Sequence, residues 1–390
     1  MIRVGVITAT RAEYGILRPL INKLREYESN YLKVDLIVTG THLSADYGMT
    51  IDEIYADKVR IDYKISIPVK SDSPIDISSD QAVTLKEFTR HFTDIRYDAI
   101  YILGDRYEML MVAIAAMNTH TPIIHLCGGD TTEGAIDEAI RHSITKMSHL
   151  HFPTNEDSKR RIIQLGESPD TVYNVGDTAI DNVLNMELLS IEEVLDYLGA
   201  DMWKNRRKFA LCTYHPVTLD EDGVDAMMKE FLSAIKDRSD IEFIVTKSNS
   251  DIGGSRINKI LDEAEKEIDN LHVYSSLGVR RYLSVMSGAL FVLGNSSSGL
   301  YEAPVMHVPT VNIGDRQKGR LRCESVIDCS FDRDSILKAI DKACNPEFVD
   351  LCKSVISPYG DGHAAEKIAN ISLDLVKKGI KLKKSFYDLN

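Results

Sequence analysis

Short runs of apolar, β-branched residues recur along the chain, each followed by a stretch in which apolar positions return every three or four residues. The first pattern is that of a strand buried on both faces and the second that of a helix with one apolar stripe. Their alternation predicts a parallel sheet covered by helices. In the amino-terminal half the predicted strands are 3–8, 33–39, 99–103, 123–126 and 150–152. After the first of them, Leu17, Leu20, Ile21 and Leu24 line one side of a helix predicted over 16–27. A charged helical stretch at 192–207, containing the tryptophan, precedes a second series of strands at 209–213, 242–246, 271–274, 290–293 and 310–313. The pattern predicts two doubly wound α/β halves, with no repeat of solenoid length.

Composition narrows the partners. A chain of 390 residues exceeds what one hydrophobic core supports, and 44% apolar with 27% charged residues is a globular balance. The net charge of −13 argues against nucleic acid and anionic membranes, so any phosphate needs a local site. Six cysteines without a CxxC pair read as reduced thiols, and no spaced His/Cys set predicts a metal or other cofactor. Met1–Ile7 enters a strand without a basic-then-apolar leader, and no apolar run approaches the roughly 18 residues of a membrane span. A cytoplasmic protein is expected, with the lysines at 377–384 forming a solvated basic end.

In doubly wound sheets, ligands sit outside the carboxyl ends of the strands. The residues there are small, polar or charged: 10–15, 39–42, 104–106, 128–130, 214–216, 247–249 and 294–299. The run Gly294-Asn295-Ser296-Ser297-Ser298-Gly299 follows a strand and precedes a helix. It is either a phosphate cradle of N–H groups and hydroxyls or a plain serine cap. Arg11, Arg106, Arg316 and Arg320 could each offer a cationic fork to a diphosphate, and strand-end placement favours Arg11 and Arg106. Asp105, Asp130, Glu133, Asp137 and Glu138 gather in or near two such loops, where unequal environments can separate a general acid from a general base. Helical spacing puts Asp137 and Arg141 on one face, where the pair either orients Asp137 or decorates the helix. His215, before Pro216 in a strand-end loop, is a better site candidate than His149 or His151.

At these residues the chain resembles the hydrolysing UDP-N-acetylglucosamine 2-epimerases, in the branch serving sialic and legionaminic acid synthesis. The matching stretches, in family order, are Thr10-Arg11-Ala12-Glu13-Tyr14-Gly15, Gly104-Asp105-Arg106, Gly128-Gly129-Asp130 with Ile136-Asp137 and 141–146, His215-Pro216, 294–299 and 312–320. The resemblance implies a GT-B-like fold: two Rossmann-type doubly wound parallel-sheet domains with an interdomain cleft. The expected boundaries are 1–185 for the sugar-handling domain, 186–365 for the UDP-binding domain and 366–390 for a helix and tail returning to the first.

The resemblance further implies that UDP meets His215, Asn249, Ser296, Ser297, Glu302 and Arg316, with Arg11 and Arg106 reaching the diphosphate. Asp105, Asp130, Asp137 and His215 form the implied catalytic set. The implied reaction removes the C2 proton, expels UDP from C1 to give a glycal, and adds water to release the free 2-epimer. UDP-N-acetylglucosamine is the expected substrate. The 131–137 loop also resembles enzymes acting on UDP-2,4-diacetamido-2,4,6-trideoxyglucose. The family commonly has Glu where this chain has Asp130, which draws the carboxylate back by one methylene unless Glu133 shares its role. Two other readings are a GT-B glycosyltransferase, which needs an acceptor, and a silent nucleotide-sugar sensor. A dimer or tetramer is the assembly the family suggests.

Overall fold

Among the described residues, twelve strands build two sheets. The first holds β1 (Ile2–Thr8), β2 (Leu32–Val38), β3 (Tyr63–Lys64), β4 (Ala99–Leu103), β5 (Ile123–Leu126) and β6 (Leu150–Phe152), in the order β3-β2-β1-β4-β5-β6 with all neighbours parallel. The second holds β7 (Lys208–Thr213), β8 (Ile241–Thr246), β9 (Leu271–Tyr274), β10 (Val292–Gly294), β11 (Thr310–Ile313) and β12 (Val326–Cys329), in the order β12-β11-β10-β7-β8-β9, again parallel. Both have the Rossmann order, so the order in which the chain adds strands reverses between β1 and β4 and between β7 and β10. The computed structural model describes residues 1–45, 48–69, 73–131, 136–199, 208–216, 223–248 and 254–389. The chain divides into two compact units, Met1–Asn182 with Tyr359–Asn390, and Val183–Pro358.

The strand period sorts the first unit's core into two layers. Val4, Val6, Ala99, Tyr101 and Leu103 face one layer, while Ile7, Ile100 and Ile102 face the other, with Phe88, Phe92 and Met109. The first layer takes in Leu17, Leu20 and Leu24 from the helix Arg11–Glu26, and Ala365, Ile368 and Leu373 from the helix Ala364–Lys378. Tyr101 and Ser372 exchange a buried hydroxyl hydrogen bond of 2.6 Å, which fixes that last helix against β4.

The structure corrects the sequence reading in four places. The edge strands β3 and β12 went unpredicted. One has two residues, and the other, Val-Ile-Asp-Cys, is half polar, because an edge strand buries too little to need an apolar run. The strand predicted over 290–293 ends at Gly294, whose φ of +138° brings its Cα against Thr213 O so closely that a Cβ would overlap it. The first helix begins at Arg11, five residues before its predicted start. Thr10 Oγ1 accepts from Glu13 N at 3.3 Å and Glu13 Oε2 accepts from Thr10 N at 3.0 Å, closing a capping box. The basic end is tied down: Lys384 Nζ donates to Ser148 O at 2.6 Å and to Glu167, whose side chain is 3% exposed, at 2.8 Å. Tyr387 N bonds Gly166 O at 3.0 Å.

Candidate active site

The carboxyl end of the first sheet collects acids around one arginine. Asp105, just after β4, and Arg141, from the helix Ile136–Met147, form a close ion pair. The second Nη of Arg141 donates to Asp130 O at 2.8 Å. One guanidinium thereby joins the loops after β4 and β5, whereas spacing alone had set it against Asp137. Asp137 lies exposed in the first turn of the same helix. Glu133 and the rest of the 132–135 segment lie outside the described residues.

Asp130 is half-buried. Ser158 Oγ donates to its Oδ1 at short range, and Thr154 Oγ1 lies at 3.5 Å. Burial raises the Asp130 pKa, against these hydroxyls and the nearby Arg161 charge. Gly129 makes the approach possible: it has φ +80°, and a Cβ there would run into Ser158 O. Asp177, which sequence reasoning missed, is a further half-buried acid. Burial pushes it up to about 6, its Oδ1 accepts from Ala179 N at 2.8 Å, and the charges of Asp130 and Asp181 add to the rise. Cys127 holds φ +59°, uncommon outside glycine, and its thiol is pushed up by burial and by the charges of Asp177 and Asp130. His125 supports the floor, with Nε2 at 2.8 Å from Gly104 O and Nδ1 at 3.1 Å from Thr145 Oγ1, and burial drives its pKa down to about 3. The imidazole is a neutral structural group.

Arg106 stands next to Asp105, its Nε donating to Glu108 Oε1 at 2.5 Å. Arg11 is exposed and pairs with Glu53 at 2.8 Å.

In the second unit the carboxyl end is organised by an amide. Asn295 is fully buried. Its Oδ1 accepts from His215 N at 2.7 Å and its Nδ2 donates to His215 O at 2.8 Å, so the side chain grips that backbone as a strand neighbour would. Its own carbonyl accepts from Gln317 Nε2 at 2.7 Å and Arg316 Nη1 at 3.2 Å. The loops after β7, β10 and β11 are thus locked to one residue, legible beforehand only as a polar residue closing an apolar strand. His215 Nδ1 lies 3.2 Å from Ser248 Oγ. Ser296 and Ser297 are partly exposed at the start of the helix Ser298–Val305, which also carries Glu302. Asn249 lies outside the described residues. A cavity of about 780 Å³, within the range of small-molecule sites, opens at the ends of β11 and β12, lined among others by Gly314, Asp315, Arg322, Phe331 and Lys338.

Among the described residues no helix is long and apolar enough to cross a membrane, and no three His, Cys, Asp or Glu side chains are grouped to hold a metal ion. All six cysteines are free thiols.

The family model for UDP-N-acetylglucosamine 2-epimerase matches residues 25–373. The chain belongs to this family. Within the UDP-N-acetylglucosamine 2-epimerases it is 38% identical over 388 residues, 99% of both chains, to the GDP/UDP-N,N'-diacetylbacillosamine 2-epimerase (hydrolyzing) of Campylobacter jejuni subsp. jejuni serotype O:2. It is 37% identical to the polysialic acid biosynthesis protein P7 of Escherichia coli, over all of this chain and 98% of that one. The crystal structure of the Neisseria meningitidis UDP-GlcNAc 2-epimerase bound to UDP-GlcNAc superposes with a TM-score of 0.76 at 18% identity, over 96% of this chain and 100% of that one. That likeness shows the fold, two Rossmann-like sheets of the GT-B-like class.

Proposed function

We propose that this member of the family is a hydrolysing 2-epimerase that converts a UDP-2-acetamido sugar and water to UDP and the free 2-epimer. The observation that carries this reading is the acid cluster of the first unit. Asp105 is held by Arg141, which also bonds the Asp130 carbonyl, and the half-buried Asp130 carboxyl beside Ser158 has its pKa raised. Two carboxyls in unequal environments are what separate proton donor from proton acceptor.

The C2 proton of the sugar is not acidic while C1 is intact. Departure of UDP builds positive charge at C1, acidifies C2–H and lets a carboxylate take the proton, leaving a C1–C2 double bond. Water then adds its oxygen to C1 while a proton returns to C2 on the opposite face, which inverts that centre. Asp105, Asp130 and Asp137 are the proposed acids. Arg106, Arg11 and Arg316 stabilise the leaving diphosphate. His215, Ser296, Ser297, Glu302 and Asn249 complete the proposed UDP contacts, with His215 also in the catalytic set.

Two sugars meet this description. One is UDP-N-acetylglucosamine, after which the family is named and which yields N-acetylmannosamine. The other is UDP-2,4-diacetamido-2,4,6-trideoxyglucose, favoured by the 131–137 loop and by the name of the Campylobacter relative. Each would be incubated with the protein in deuterium oxide without acceptor, and the products identified by mass. Free hexosamine carrying one deuterium at C2 together with free UDP is the expected result. Product still joined to UDP, or no UDP released without an acceptor, overturns the hydrolytic reading.

A further inference from the structure

Among the described residues of the first unit, three buried carboxyl oxygens have no hydrogen-bond partner: Asp35 Oδ1, which faces Lys33 at 3.2 Å, and one oxygen each of Glu13 and Glu108, both of which act on Arg106. Glu108 is 0% exposed, and its Oε1 holds Arg106 Nε at 2.5 Å while its Oε2 meets nothing. Glu13 is 7% exposed. Its Oε2 accepts from Ala9 N at 2.8 Å and Thr10 N at 3.0 Å, and its Oε1 is the second orphan. A capping box explains one oxygen of Glu13 and leaves the other in an environment where an unsolvated carboxylate oxygen is costly. The charges of Glu108 and Arg106 both act on Glu13.

With both acids ionised the group of three carries a net negative charge, which works against an incoming diphosphate. One proton makes it neutral. It also turns an orphan acceptor into a donor in a cluster that contains a second buried acceptor. We propose that Glu108 positions the Arg106 guanidinium for the leaving diphosphate and that Glu13 holds a proton when the diphosphate is bound. Glu108 takes the Nε edge, and among the described residues the two Nη groups have no hydrogen-bond partner, so the fork stays open to phosphate oxygens. Burial, then the Glu108 charge, push Glu13 up to about 7, against the N–H groups and Arg106. Its proton is therefore exchanged near neutrality.

Other charges around Glu13 are accounted for. His42, after β2, lies between Thr8 Oγ1 at 3.1 Å and Thr50 Oγ1 at 2.9 Å, and burial drives it down to about 4, so it stays neutral here. Arg11 is turned to Glu53. Further along the helix, Tyr14 and Arg18 meet Asp57, and Lys23 feels Glu366 of the carboxyl-terminal helix. Asp105 is held by Arg141.

The inference rests on the proposed role of Arg106 at the diphosphate. The test measures UDP affinity from pH 6 to pH 8 for the whole protein and for Glu13→Gln, Glu108→Gln, Glu108→Asp and Arg106→Ala. UDP titrates identically in every arm, so the ratio of wild-type to Glu13→Gln Kd isolates Glu13. It should rise from about 1 at pH 6 to about 10 at pH 8, as expected for one proton bound with the ligand. Glu108→Gln should weaken UDP about 10-fold at every pH, with partial recovery in Glu108→Asp. In the wild type, adding UDP at pH 8 should strengthen the infrared band of a protonated carboxyl, a readout independent of how any variant folds. A ratio constant with pH and an unchanged band overturn the inference while Arg106→Ala still weakens UDP. If Arg106→Ala binds UDP as the wild type does, the reading beneath it fails instead.

Discussion

The carboxyl ends of the two sheets share a topology and differ in chemistry. The first is lined by acids that burial has pushed up, Glu13, Asp130, Asp177 and Asp181, held by few cations. The second is built on a neutral amide, hydroxyls at a helix start, and Arg316. Elsewhere in the second unit, Glu193, Asp225, Asp240 and Asp332 are surface groups drawn down by hydrogen bonds to their neighbours. One Rossmann-type sheet thus offers titratable groups that can exchange a proton near neutral pH, and the other offers fixed donors that can hold an anion without titrating. A shared strand order does not confer a shared chemistry, because the loops after the strands decide it.

The division is broken most directly by exchanging effects between the units. Asp105→Asn and Asp130→Asn should each lower turnover about 1000-fold, within the range for loss of a general acid or base, while UDP affinity changes little. UDP release under saturating substrate and calorimetry with UDP measure the two quantities. Comparable losses in both would mean that these two acids hold the nucleotide and do not act on the sugar alone. Arg316→Ala should do the reverse, raising the Kd for UDP about 10- to 100-fold, the worth of a hydrogen bond to a charged group, with single-turnover rates at saturation nearly kept.

Asn295→Ala sits one step lower. It leaves His215 N and O without their side-chain partner and frees the loops after β7 and β10, at a cost of about 2 kcal/mol in stability. Denaturant unfolding would show the loss, and the amides of the second unit should carry it in hydrogen exchange. Equal loss of protection in the first unit would contradict a device confined to the second.

What the sequence could show follows from where burial is complete. Central strands are apolar on both faces and were read to within two residues. β3 and β12 were missed because an edge strand has no such run. The helix start at Arg11 was missed because Thr10 and Glu13 read as loop polarity until their reciprocal bonds were seen. At the site, the order of polar strand ends pointed to Asp105, Asp130 and His215. It could not show that Arg141 bridges Asp105 and Asp130, since that contact joins segments 36 residues apart while the helical spacing offered Asp137. Glu108 had a signal that went unused: a lone carboxylate opening the apolar run Met109 to Ala116. Asp177 gave none, because the desolvation of its carboxyl depends on packing around Gly176 and Gly360 from opposite ends of the unit.

The smallest effect separates the units by pH. A carboxyl whose folded pKa is raised stabilises the fold fully below its ordinary value, and that contribution is lost as pH climbs through the folded value. Asp177, pushed up to about 6, and Glu13, pushed up to about 7, therefore cost the first unit stability between roughly pH 4.5 and 7. Glu167 acts with the opposite sign. Despite its burial, hydrogen bonds from His151, Lys146 and Lys384 draw it down to about 2, so its contribution is present above the ordinary value and fades as pH falls toward 2. The first unit should lose stability steadily from pH 5 to pH 8, a change visible in native-state hydrogen exchange once intrinsic rates are divided out. Glu13→Gln with Asp177→Asn should flatten that alkaline limb, and Glu167→Gln the acid one. The second unit, in which Glu193, Asp225, Asp240 and Asp332 are drawn down, should show no such alkaline limb from them. An equal loss there would mean that the contrast between the two strand ends is one of composition and not of charge state.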